Sequence, residues 1–395
     1  MAIAILADDL TSAGDGAAPF RRTGHDARIL FATPAAPSAS GAAAPGPDVT
    51  AIDLGTRILD EATAADRTRR AARACADATL LLKTVDSTLR GHVAAEIRAA
   101  REGSGRRAVV VAPAFPAEGR TTVGSVQYVR GVPVHESEFA RDPVHPVTRS
   151  DLTAVLPGSV PVAPGEVAGR LPELIRHGGL FVCSAGTDAD LDRIVAAVPR
   201  PDAVLWVGSP GLAAALARRC AGPGALGAAA APPPPARRPL VVVGSANPAT
   251  RRQLARLRAE TDADGVTVTS TAAGTAASLR RLTAPVLTLS TPDTRVPAAT
   301  ARALAEIMAA AVRTLAAEGV VDALVVTGGE TAATVLHALD GTGLDLVDEP
   351  EPGVARGTLL GGPAPLPVLV KAGGFGDDDT LVRLSRLTLG TVDAS

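Results

Sequence analysis

Four side chains suited to holding an anionic, hydroxylated small molecule fall within eight residues of one another: Lys83, Asp86, Ser87 and Arg90, in the stretch "KTVDSTLRGH". The stretch follows the apolar run "ATLLL", so the four stand where a strand ends and a helix begins. The lysine is the informative residue. Only two lysines occur among 395 residues, Lys83 and Lys371, and the other 37 basic residues are arginine. Against that background arginine would serve equally well as a solvated charge, whereas lysine alone offers a compact, rotatable ammonium. Arg90 has the planar fork that captures a carboxylate bidentately. A purely structural reading, with Lys83 a solvated strand end and Asp86 a helix cap, accounts for the acid but not for the choice of lysine.

Asp8 and Asp9 close the first apolar run, in "ADDLTSAGD". Carboxylates placed there can bind hydroxyls, hold a metal or act as a general base. One cap suffices for the helix that follows, and adjacent side chains diverge, so one of the two is expected to face a substrate. The C-terminal half carries three glycine-containing turns, "VVVGSANPATRRQ", "VVTGGETAA" and "VKAGGFGDDDT", the last with the second lysine. Glycine lets a backbone approach a phosphate, and the helix N-terminus behind it presents free amides. Three such turns in one half point to a nucleotide, with Lys371 supporting its phosphates. The chain has no GxxxxGK[ST], no GxGxxG after its first strand, no HExxH and no GxSxG, which excludes P-loop, dinucleotide, zincin and serine-hydrolase signatures. Cys75, Cys183 and Cys220 form no CxxC pattern and read as small buried hydrophobes, and no spacing singles out a metal ligand.

The elements that must position these residues are legible as apolar runs alternating with amphipathic ones. "AIAIL", "ARILF", "TAIDL", "ATLLLK", "AVVVAP", "LFVCS" and "AVLWV" in the first half, and "PLVVVGS", "GVTVTS", "PVLTLS", "DALVVTGG" and "LPVLVKAGG" in the second, read as strands. Runs apolar on both faces with helices between them mean parallel sheets, so the expectation is two three-layer α/β domains with mostly parallel sheets. Four consecutive prolines make residues 222–239 a semi-rigid linker between domains 1–221 and 240–395. Ligands of such sheets bind beyond the carboxyl ends of the strands. Residues 113–146 lack periodicity and hold Arg120, Tyr128, His135, Glu136, Asp142 and His145; the expectation there is a flap or a subunit interface, as in a homodimer. A hydrophobic fraction of 46% and a net charge of −2 describe a globular chain without the basic face that nucleic acid requires. No run reaches the roughly 20 apolar residues of a membrane span, and the N-terminus has no basic leader, so a cytoplasmic protein is expected.

Taken in order, "ADDLTSAGD", "KTVDSTLRG", "APAFPAEGRTTVGSVQYVRGVPVHESEFARDP", "WVGSPGLAAALA", "VVVGSANPATRRQ", "TGGETAATVL" and "KAGGFGDDDTL" resemble the four-carbon acid sugar kinases, over both halves of the chain. The resemblance implies ATP-dependent phosphorylation of a tetronate-like or 3-oxo-tetronate acid, commonly at its terminal hydroxyl. It implies a sugar-acid site in the N-terminal domain and ATP, with Mg²⁺, in the C-terminal one. Carried over by motif, Asp8 and Arg90 are substrate contacts, with Asp9, Lys83, Asp86 and Ser87 beside them. Ser245, Gly328, Gly329, Glu330, Thr331, Gly373 and Gly374 are nucleotide contacts, to which Lys371 is added. Ser12 stands where the family usually has glycine.

On this reading Arg90 clamps the substrate carboxylate, Asp8 or Asp86 orients the hydroxyl and accepts its proton, and Lys83 holds substrate or the transferring group. Two other classes stay open: a two-lobed sugar-acid sensor, and a nucleotide-independent sugar-acid lyase using Lys83 and the paired aspartates.

Overall fold

The strands form where the chain is apolar on both faces, because only a residue covered by helices above and below a sheet gains from a side chain that water never meets. In the computed structural model, which describes residues 2–32, 47–142, 145–221, 232–244, 247–294, 296–362 and 364–391, such runs build two compact units, Met1–Ala228 and Ala229–Ser395.

In the first unit the strands are β1 (Ile3–Ala7), β2 (Ala27–Phe31), β3 (Val49–Asp53), β4 (Leu80–Thr84), β5 (Ala108–Ala112), β6 (Arg120–Val123), β7 (Val126–Val129), β8 (Val132–Pro133), β9 (Val160–Val162), β10 (Gly179–Cys183) and β11 (Val204–Gly208). Eight of them make an all-parallel sheet ordered β2-β3-β1-β4-β11-β5-β10-β9. β1, β4, β5 and β11 are buried at every position, which is why their sequences show no alternation. Leu6, Ile52, Leu81, Val109, Val111, Leu205 and Val207 supply one face of the core, each contributing about 1.5–3 kcal/mol by burial. Helix Leu10–Arg22 lies close on the sheet at Gly16, where a Cβ would stand 3.0 Å from side-chain carbons of both Ile5 and Thr84.

Residues 113–146, which show no periodicity in the sequence, are not irregular. They hold a small antiparallel sheet, β6-β7-β8, flanked by short 3-10 turns. Its strands are at most four residues long and separated by glycine-containing turns, too short for a period of two to emerge from the sequence. Reciprocal bonds between Thr122 and Ala185 (2.9 and 3.0 Å) tie it to the body of the unit.

The second unit has β12 (Pro239–Val243), β13 (Ala263–Thr267), β14 (Val286–Ser290), β15 (Ala323–Thr327), β16 (Gly341–Glu351), β17 (Val354–Gly361) and β18 (Pro367–Lys371). Five run parallel in the order β13-β14-β12-β15-β18, and the β17-β16 hairpin adds two antiparallel strands beside β18. That hairpin escapes sequence reading because Pro350 and Pro352 sit at its turn, where they argue against a strand. Val241, Val243, Leu254, Leu257, Val325, Leu369 and Leu381 form the core. Of the expected linker, residues 222–231 lie outside the described ones; at its far end the Ala236 amide donates to the Thr388 carbonyl at 2.8 Å and Pro239 already opens β12.

Cys183 is buried, and burial pushes its thiol up to about 12; Cys75, partly buried, is pushed to about 11. Neither is a nucleophile at neutral pH. Among the described residues no helix is long and apolar enough to cross a membrane.

Candidate functional site

The tips of β1, β3 and β4 meet in register, with Ala7 beside Asp53 and Leu6 beside Lys83. Beyond β3 the chain runs along the end of β1. The Leu54 amide donates to the Ala7 carbonyl (2.8 Å), and the Thr56 and Arg57 amides donate to the Asp8 carbonyl (2.9 and 3.2 Å). This places the Arg57 guanidinium over both aspartates. Its Nε donates to Asp8 Oδ2 (2.8 Å), Nη2 to Asp8 Oδ1 and to Ser12 Oγ (3.0 Å each), and Nη1 to Asp9 Oδ2. Four of the five guanidinium N–H bonds are therefore used, and one on Nη1 remains.

Asp8 is 4% exposed. Burial alone would raise its pKa, but Arg57, with Lys83 nearby, outweighs that and holds the carboxyl below its usual range. It stays ionised. Asp9 is consumed locally: Oδ1 accepts the Ser12 amide (2.7 Å) and the Thr11 hydroxyl (2.9 Å), while Oδ2 takes Arg57. Asp9 thus caps the helix, while the Asp8 carboxylate takes no part in the cap and bonds Arg57 through both oxygens. Asp53 accepts the Gly55 amide at 2.9 Å; burial, with Asp9 and Asp8 adding repulsion, pushes it up to about 7.

At the end of β4, Lys83 does not present a free ammonium. It is 1% exposed and pairs at 2.7 Å with Glu96 of helix Val93–Ser104, itself 3% exposed, while also donating to the Thr84 carbonyl at 2.8 Å. Asp86 is fixed by the Thr88 amide and hydroxyl (2.9 Å each) and by Arg90 Nε. Burial opposes its ionisation, yet Arg90, Arg57 and the Thr88 amide hold it far below the ordinary carboxylate range. Arg90 is correspondingly no free fork: its Nη1 also lies 3.4 Å from Asp142, and its guanidinium stands 5.3 Å from the centroid of the Phe139 ring. Its Nη2 makes no hydrogen bond among the described residues. Ser87 Oγ accepts from Arg120 Nη1 at 2.8 Å, and its carbonyl accepts from the buried Gln127 Nε2 at 2.8 Å. Two histidines close the rim. His92 Nε2 donates to the Leu59 carbonyl (2.6 Å), His145 Nε2 donates to the Arg57 carbonyl, and their rings meet edge to face at 5.2 Å. His135 sits apart, bonded to Ser150.

In the second unit the ends of β12, β15 and β18 carry the glycine turns. Gly328 has φ +87°, and its amide donates to the Lys371 carbonyl at 2.8 Å, so that helix Gly329–Ala338 starts directly against β18. Gly244 must be glycine, since a Cβ there would stand 2.1 Å from Thr331 Oγ1. Thr331 is buried while Glu330 is exposed. The Gly373 carbonyl accepts from Thr250, and Gly374 lies beside Asn247, whose Nδ2 would be 3.5 Å from an added Cβ. Lys371 is wholly buried, with Nζ donating to the Ala372 carbonyl at 2.9 Å. Ser245 lies outside the described residues. Among the described residues no group of three or more His, Cys, Asp or Glu is arranged to hold a metal ion.

The structure thus brings Asp8, Asp9, Lys83, Asp86, Ser87 and Arg90 to adjacent strand tips in the first unit, and Gly328–Thr331, Lys371 and Gly373 to adjacent strand tips in the second. Arg57, Glu96, Asp53 and Gln127 were not singled out by sequence. Arg57 could have been, because "TAIDLGTR" places it just past a strand end, where ligands of parallel sheets bind.

Residues 3–216 match a family profile described as a sugar-binding N-terminal domain, and residues 240–381 match one described as a nucleotide-binding C-terminal domain. The chain is 39% identical to a D-threonate kinase of Bordetella bronchiseptica, over 97% of this chain and 96% of that one. It is 30% identical to a 3-oxo-tetronate kinase of Methylobacterium radiotolerans, over 96% and 97%. A crystal structure of a Bordetella bronchiseptica protein, described as a domain of unknown function with bound citrate and a domain-swapped dimer, aligns over 98% of this chain and 99% of that one at 37% identity, with a TM-score of 0.51.

Proposed function

The chain belongs to the four-carbon acid sugar kinase family, and from that membership we propose that it transfers the terminal phosphoryl group of ATP to the terminal hydroxyl of a four-carbon sugar acid, D-threonate before others. The 39% identity to a D-threonate kinase, against 30% to a 3-oxo-tetronate kinase, supports that order. The observation that carries the reading is Asp8: a buried carboxylate kept ionised by Arg57 at the tip of a parallel strand.

Phosphoryl transfer asks little covalent chemistry of a protein; it needs a positioned hydroxyl and donors for the charge spread over the phosphoryl oxygens. Asp8 orients the hydroxyl and receives its proton, since each of its oxygens keeps a lone pair beyond the bond from Arg57. Gly91, φ +90°, leaves the space beside Asp8 open, a Cβ there standing 3.5 Å from Oδ2. The spare Nη1 hydrogen of Arg57 and the Nη2 edge of Arg90 take the substrate carboxylate. Asp86, already held by Thr88 and Arg90, is a positioning residue that fixes the Arg90 fork rather than the base. Arg120 and Gln127 hold Ser87 in place from both sides.

The nucleotide is held by the turns at Gly328–Thr331 and Gly373–Gly374 with Lys371. With no carboxylate cluster among the described residues to hold it, Mg²⁺ would be carried by the nucleotide phosphates, where it would offset their charge. A lyase using Lys83 as a free amine is disfavoured by its pairing with Glu96. The domain-swapped dimer seen for the 37% identical relative supports a homodimer, which light scattering tests.

The experiment is ADP release with Mg-ATP and a panel of D-threonate, D-erythronate and 3-oxo-tetronate, each against an acid-free control. Release that depends on D-threonate, with a phosphate monoester at its terminal carbon, is the expected result. No acid-dependent ADP from any member of the panel would overturn the proposal.

A further inference from the structure

Lys83 and Lys371 occupy the same local geometry, one in each unit. Each lies at the C-terminal end of a parallel strand and curls its ammonium onto the carbonyl of the next residue, Thr84 at 2.8 Å and Ala372 at 2.9 Å. A guanidinium is too broad for that bend, which accounts for lysine in a chain otherwise built with arginine. The difference lies in what else they meet. Lys83 has Glu96 at 2.7 Å. Lys371, equally buried, contacts no carboxylate among the described residues. The acid that acts on it, Glu351, is itself gripped by both ends of Arg383 at 2.7 and 2.8 Å.

Beside Lys371 is a second unsatisfied group. Thr327 ends β15 in register with Lys371 at the end of β18, and residues in register on neighbouring strands project from the same face of a sheet. Thr327 is 0% exposed, and its hydroxyl has no hydrogen-bond partner among the described residues. A buried hydroxyl without a partner and a buried ammonium without a counter-ion are each unfavourable, and natural proteins retain them where a ligand completes them. The next residues, Gly328 and Gly329, open a ten-residue helix whose first amides point out of its N-terminus.

We propose that Lys371 Nζ, Thr327 Oγ1 and the first amides of helix Gly329–Ala338 form one subsite that binds the terminal phosphoryl group of a polyphosphate. The assignment deepens the nucleotide reading and rests on it. A terminal phosphoryl carries about two negative charges and three acceptor oxygens, whereas inner phosphoryls carry one. It therefore matches a cation without a counter-ion, a hydroxyl and a set of amides better than any other part of a nucleotide. Depression of Lys371 to about 8 by burial fits an ammonium that lacks its anion.

The test uses the full chain, with Thr327→Val, Thr327→Ser and Lys371→Met compared with wild type by calorimetric titration of Mg-ATP, Mg-ADP and inorganic tripolyphosphate, and by melting without ligand. Thr327→Val keeps the shape and removes the unpaired hydroxyl, so it is expected to melt at or above wild type while binding ATP roughly tenfold more weakly. ADP is affected far less, and Thr327→Ser retains ATP binding. Lys371→Met is expected to weaken ATP roughly a hundredfold. Unchanged ATP affinity in Thr327→Val and Lys371→Met, or an equal loss for ADP, overturns the subsite. If wild type binds no nucleotide, the nucleotide reading fails separately. Tripolyphosphate then decides: weakened in both variants, the subsite stands; unaltered, it falls.

Discussion

Replacing Lys83 by methionine isolates what the buried lysine does. Its ammonium and the Glu96 carboxylate are 2.7 Å apart and only 1% and 3% exposed. At an effective dielectric constant of 20 their attraction is about 6 kcal/mol, most of it offset by the cost of removing both charges from water. Methionine fills the lysine's volume and leaves that desolvation cost on Glu96 without the attraction. Glu96 Oε1 already lacks a partner, so nothing nearby takes over. The Thr84 carbonyl also loses its bond from Nζ. The expected loss is about 3–5 kcal/mol in the stability of the first unit. Lys83→Met with Glu96→Leu should recover to within about 1 kcal/mol of wild type, because an apolar pair of similar volume replaces the ion pair without stranding a charge. Denaturant unfolding followed by Trp206 fluorescence reports this unit, since Trp206 is wholly buried in β11. If Lys83→Met kept wild-type stability while turnover vanished, the lysine would be a free catalytic group and the structural assignment wrong.

Three further outcomes follow from the same geometry. Asp53, raised from 3.8 to about 7, binds its proton more tightly in the folded state, so stability contributed by this group declines as pH rises from about 4 through 7. Asp53→Asn should abolish that decline and melt above wild type at pH 8, by about 2–4 kcal/mol in free energy. Lys371 has the opposite sign: depressed from 10.5 to about 8, it lowers stability when charged, so the second unit gains stability as pH rises from about 8 to 10.5. ATP affinity should fall through the same rise, and titration of Lys371→Met should show neither trend. Ser12→Gly deletes the acceptor at 3.0 Å from Arg57 Nη2; with Asp8 and Asp9 still gripping the guanidinium, a rise in KM for the acid of about threefold, at unchanged kcat, is expected in initial-rate assays.

The fold was legible where chemistry repeats along the chain. "ATLLLK" and "AVVVAP" are strands because nothing polar interrupts them, and both are buried throughout. The β6-β7-β8 sheet and the β16-β17 hairpin were not, because four-residue strands and proline-bearing turns carry no readable period. The site was legible as a set of strand ends but not as a set of bonds. Arg57 stands 48 and 49 residues from its partners Asp9 and Asp8, and no local pattern encodes such a contact. Glu96 was not singled out in the sequence, and only burial shows it to be the counter-ion of Lys83. That lysine was chosen over arginine could be read from its rarity; that one lysine is neutralised and the other left without a carboxylate could not.

The most direct test of the central claim is the turnover of Asp8→Asn, measured as D-threonate-dependent ADP release alongside ATP affinity. Asparagine keeps the shape and removes both the charge that holds Arg57 and the acceptor for the hydroxyl proton. A fall in kcat of about 10²–10⁴, with ATP binding unchanged, is what the account predicts. Turnover within a few-fold of wild type would contradict it.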